Sequence, residues 1–173
     1  MKKYIITFLF LLVSSPFFAQ SVFDQFDGMA GVNAVVVNKK MFDLMSKVKI
    51  DTSDKETQQY MSLIKKIDNL KVFSTSNDRT ALQMKLTADK YAKTAGLEEL
   101  ARQNENGKNI RIMVKPGASE SQVKELLLFI QGTSTEDTVL MSLIGDIDLN
   151  EVPALTSKMK IPGNADIRKV LGK

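Results

Sequence analysis

The 173-residue chain has no cysteine and no histidine. Without cysteine there is no disulfide, no thiol redox chemistry, no covalent haem attachment and no site for a cysteine-linked lipid. Without histidine the Ser-His-Asp and Cys-His nucleophile systems and His-ligated zinc are also excluded. The chain lacks a glycine-rich phosphate loop and a G-x-S-x-G elbow. Catalysis would have to rest on carboxylates, lysine, serine or tyrosine, so the expectation is a protein that is not an enzyme and uses no cofactor.

What is present first is a leader. Lys2 and Lys3 precede an apolar run from Tyr4 to Val13, and Ser14-Ser15-Pro16 breaks it before Phe17-Phe18-Ala19-Gln20. A positive start, an apolar run too short to span a bilayer and a break before a small residue predict a signal peptide over 1–20. The expected location is the periplasm or outside the cell. Setting Lys2 and Lys3 aside takes the 24 basic residues to 22, against 20 acidic. That near balance gives nucleic acid little to bind. No repeat, low-complexity stretch or linker divides residues 21–173, which are expected to form a single domain with no integral membrane span. A domain of that size buries roughly 68–70% of its unfolded surface and needs no disulfide.

The patterning is densest from Ile110 to Gly145. IRIMVK alternates, with Ile110, Ile112 and Val114 on one face and Arg111 and Lys115 on the other. ELLLFIQ (Glu125–Gln131) and TVLMSLIG (Thr138–Gly145) are nearly all apolar, as in strands covered on both faces or central in a sheet. Pro116-Gly117 and Gly132-Thr133-Ser134 supply the turns. Upstream, Phe23 and Phe26 mark an arm that lays two rings on the core. Val32–Val37 reads as a strand, and Met41, Leu44, Met45 and Val48 as the inner stripe of a helix. Ser53 and Glu56 have capping-box spacing ahead of a stripe of Tyr60, Leu63, Ile64, Ile67 and Leu70. Lys71–Ser74 reads as a strand, and Asn77 or Asp78 caps a helix that ends at Gly96. Leu97–Gln103 is expected to pair with the Ile110 strand through Asn106-Gly107. Asp148 and Glu151, with Pro153 in a first turn, open a last helix carrying Leu155 and Met159. The expected fold is α+β, a two-layer sandwich of a mainly antiparallel sheet with helices on one face.

Few residues suggest chemistry. Asp146, Asp148 and Glu151 form the best acidic group, but they lack the alternating ligands and glycine of a calcium loop, and capping already accounts for two of them. Met41, Met45 and Met61 suggest soft-metal ligation, yet methionines at helical spacing usually fill core gaps. No metal site is expected. Lys39-Lys40, Lys65-Lys66 and the Lys158/Lys160 pair read as solvated faces, the sharper alternative being a membrane or polyanion patch.

Three segments, VVVNKKMFDLMSK (Val35–Lys47), IDNLKVFST (Ile67–Thr75) and GDIDLNEVPALTSKMKIPG (Gly145–Gly163), resemble the family known as domain of unknown function 4252. The resemblance covers nearly the whole chain after the leader. It implies a small exported protein of a Gram-negative bacterium and supplies no catalytic or binding residues. Many members are lipoproteins, and the missing cysteine departs from that pattern. The expected function is a non-catalytic binding or accessory module of the envelope, with an envelope protein as partner. The alternatives are a carrier whose apolar pocket is lined by Tyr60, Tyr91, Met and Leu, and a hydrolase built on two convergent carboxylates.

Overall fold

The computed structural model describes residues 22–51, 53–105, 107–133 and 137–171; the predicted leader over 1–20 lies outside them. Six strands form one antiparallel sheet: β1 (Asn33–Asn38), β2 (Ile67–Thr75), β3 (Glu98–Glu105), β4 (Lys108–Pro116), β5 (Gln122–Gln131) and β6 (Thr138–Asp148). Their spatial order is β1-β2-β6-β5-β4-β3, so β6 and β5 are central and β1 and β3 are the edges. Five helices accompany them: α1 (Lys39–Met45), α2 (Lys55–Ile64), α3 (Asp78–Ala95), α4 (Val152–Lys158) and α5 (Asn164–Leu171). The α+β class and the antiparallel sheet are as expected. No helix among the described residues is long and apolar enough to cross a membrane.

The helices do not share one face. On β5, Leu126, Leu128 and Ile130 join Phe42 of α1, Leu63 and Ile64 of α2, Leu155 of α4 and Ile167 of α5 in one core. Leu127 and Phe129, pointing the other way, join Met84, Ala88 and Tyr91 of α3 together with Phe23 and Phe26. The expectation of helices on one face is corrected to three layers. A strand with apolar residues on both faces must have both covered, and α3 and the N-terminal arm provide the second cover.

Local chemistry sets the boundaries. Asn77 caps α3 by accepting from Thr80 N at 3.0 Å, and Gly96 ends it at φ +67°, in the left-handed conformation that glycine adopts without strain. The β3–β4 hairpin passes from Glu105 to its partner Lys108 as the Asn-Gly pair predicts; Asn106 itself lies outside the described residues. At α2 the cap is Asp54, accepting from Thr57 N at 2.8 Å, rather than Ser53. The helix stops at Ile64, and Ile67 and Leu70 belong to β2. They imitate a helical stripe because a bulge between Ile67 and Asn69 inserts one residue, so positions three apart face the same core. Asp148 turns inward to its own loop, accepting from Asn150 N at 3.0 Å, and Glu151 stands at the start of α4 with no side-chain cap. The expected capping box there does not form.

Candidate interaction surface

The surface begins where β1 runs without a loop into α1. Asn38 closes the strand and caps the helix, its side chain accepting from Met41 N at 3.1 Å. So short a join fixes the helix's rotation. Phe42 is fully buried and Met45 half-buried against the core, whereas Met41 and Leu44, also three residues apart, point outward. Leu44 is 53% exposed and Val48 57%, and Ile50 continues the apolar run. The expected inner stripe is therefore largely an outer one: Met41, Leu44 and Val48 face solvent and Phe42 takes the buried position. Met61 packs on the core, so Met41, Met45 and Met61 do not converge on solvent as ligands. Lys40, Lys47, Lys49, Asp43 and Asp51 surround this stretch, all exposed. Lys39 reaches back to the Lys65 carbonyl at 3.2 Å and pairs with Asp68 at 3.5 Å, anchoring α1 to the turn before β2.

The sequence-predicted acidic residues are engaged separately. Asp146 pairs with Lys124 at 3.0 Å and Glu151 with Lys66 at 3.4 Å, while Asp148 holds the Asn150 turn. Among the described residues no group of three or more carboxylates forms a metal cage.

Tyr60 and Tyr91 cannot line one pocket, because they pack on opposite faces of the sheet. The described cavity is an open cleft of about 470 Å³ at the start of α3, floored by Phe129 and walled by Thr75, Asp78, Lys85, Gln131 and Thr138. Ala81 and Leu82 share that wall with the polar and charged groups, so the cleft is mixed in character and open to solvent rather than an enclosed apolar cavity.

One buried acid escaped the sequence reading. Glu125 is only 5% exposed, under α3 beside Tyr91, and burial raises its pKa against the opposing influence of Tyr91 and Lys115. Burial beside that carboxyl also raises the Tyr91 phenol. The Tyr91 hydroxyl and Glu125 Oε1 are sealed from solvent and fall short of a well-formed hydrogen bond. This is one carboxyl beside a phenol, not the two convergent carboxylates of a hydrolase. The available signal was a glutamate at the head of the apolar run Glu125–Gln131, inside a strand that is apolar on both faces. Because the folded pKa lies above the unfolded one, the folded state holds the extra proton between them. Stability should therefore fall as pH rises through that window and be regained below it. Glu125→Gln, which cannot ionise, is expected to flatten this slope. Urea unfolding on both sides of the window checks it; an unchanged slope would contradict the assignment.

The family model described as Domain of unknown function (DUF4252) matches residues 26–155, more than half of the chain. The chain belongs to this family. The DUF4252 match starts at Phe26 in the arm and ends at Leu155 in α4, so it includes all six strands and the α1 surface but not α5. Searches of curated proteins and of solved structures found no match.

Proposed function

We propose that this DUF4252 chain is an exported envelope protein that works without catalysis, by binding another protein through the outer face of α1 and the stretch to Ile50. The observation that carries the reading is the run of outward apolar side chains Met41, Leu44, Val48 and Ile50 in one continuous segment. Apolar side chains grouped on a folded surface mark contact sites, whereas scattered single ones need no explanation. The surrounding charges are of both signs, which suits the polar rim of a protein interface better than an anionic lipid surface. The leader-like residues 1–20 support the envelope location.

The test is cross-linking of intact cells with a reagent that does not pass the inner membrane. The expected result is one reproducible protein adduct with the parent chain. Leu44→Glu/Val48→Glu should lose it while changing stability by about 0.5 kcal/mol or less per site, as exposed positions do. No adduct, or an adduct that survives the double substitution, would overturn the proposal.

A further inference from the structure

The two edges of the sheet are built differently. β3 carries Glu98, Glu99, Arg102 and Glu105, and a bulge between Glu99 and Ala101 interrupts its pairing with β4. Charge and bulges are the usual devices that stop a sheet edge from accepting another strand. β1 has neither. Its sequence, Asn-Ala-Val-Val-Val-Asn, carries no charge, no proline and no glycine, and it pairs with β2 in unbroken register from Asn33 to Asn38. Val35 is 41% exposed and Val36 45%. The outer side of β1 is thus an uninterrupted, uncharged row of backbone groups with no described strand beyond it.

We infer that β1 pairs antiparallel with β1 of a second copy, joining two six-stranded sheets across a two-fold axis. In an antiparallel pair, facing residues either both turn their N–H and C=O toward the other strand or both turn them away. When a strand meets itself, the axis must therefore pass through a residue, not between two. An axis through Val36 sets Val36 on its own copy and Val35 against Val37. An axis through Val35 sets Val35 on its own copy and Ala34 against Val36. Both joins are apolar at the centre and bring no like charges together, so the strand is complementary to itself, as an isologous interface requires. The join is made by the backbone edge of β1 and is independent of the α1 surface.

The absence of native cysteine allows a clean test. Val35→Cys and Val36→Cys, each alone, are oxidised beside Leu86→Cys and Leu100→Cys, which place a thiol on α3 and on the β3 edge. One of the first two is expected to form an inter-chain disulfide many times faster than either control. The chain without a cysteine should show twice the mass of one copy by light scattering, and Val36→Lys should halve it with the melting profile retained at high concentration. A single-copy mass for the parent, or equal cross-linking at all four positions, would overturn the proposal. So would a β1 edge protected from hydrogen exchange only when another protein is added, since that gives the edge a different occupant. If Val36→Lys fails to fold, the cysteine comparison still decides the question.

Discussion

Gly145→Ala is expected to destabilise the chain by about 4 kcal/mol or more, on the scale of strain combined with backbone displacement. Gly145 lies inside β6 opposite Ile67, with φ at +153°, a region that residues with a side chain seldom enter. A methyl group there would overlap the Lys66 carbonyl oxygen and stand 2.8 Å from Ile67 Cα. Neither can swing aside as a long side chain can. That carbonyl accepts from Asp146 N at 3.0 Å, so moving it also breaks the bond that ties the α2–β2 turn onto β6. Glycine within a strand marks such close backbone approach. Gly28→Ala is the control: it is also at positive φ, +74°, but meets nothing within 4 Å, and should cost only about 1–2 kcal/mol of backbone strain. Equilibrium urea unfolding of the two variants checks the pair. Equal losses would mean that the close approach at residue 145 is not the cause.

Phe26→Ala should cost about 3–5 kcal/mol, the range for removing a buried ring. Phe26 is fully buried against Phe73 of β2, with ring centroids 5.8 Å apart, and Phe23 meets Tyr91 of α3 edge-on at 5.1 Å. Between them, Asp24 pairs with the buried ammonium of Lys71, and Gln25 donates to Thr87 on α3 at 3.4 Å. Thr75 Oγ1 donates to the Gly31 carbonyl at 2.7 Å, closing the arm at its far end. The arm is thus part of the core on the α3 face. The substitution should lower the midpoint of thermal unfolding by about 10 °C for a chain of this size. Exposed Asp27→Ala, one residue on, should leave it nearly unchanged. Similar midpoints for Phe26→Ala and the parent would show that the arm is not packed as described.

Where one local rule dominated, the sequence predicted the structure well. Asn-Gly placed the β3–β4 hairpin, Asn77 and Gly96 bounded α3, and two phenylalanines among polar residues announced the arm. Where two rules give the same spacing, it misled. The bulge at the start of β2 makes Ile67 and Leu70 look helical. Apolar positions three apart on α1 describe two stripes, and only the direct join to β1 selects Phe42 for the core. The second helical layer was implied by β5 itself, whose consecutive Leu126, Leu127 and Leu128 cannot all be covered from one side. Element order alone does not show to which face a helix returns. Less of the candidate surface was legible, because the same methionines and leucines serve equally well inside or outside. Glu125 went unnoticed because its environment is created by α3, more than thirty positions earlier in the chain.

The central claim is that the outer face of α1 is the contact surface. Photo-reactive residues placed singly at Met41, Leu44 and Val48, and for comparison at Leu82, Leu86 and Leu100, would test it in living cells. All six positions are exposed apolar sites, so reactivity with solvent and general stickiness are matched. One adduct of constant mass is expected from the first three positions and none from the others. Adducts from Leu86 or Leu100 alone, or an equal background from all six, would contradict it.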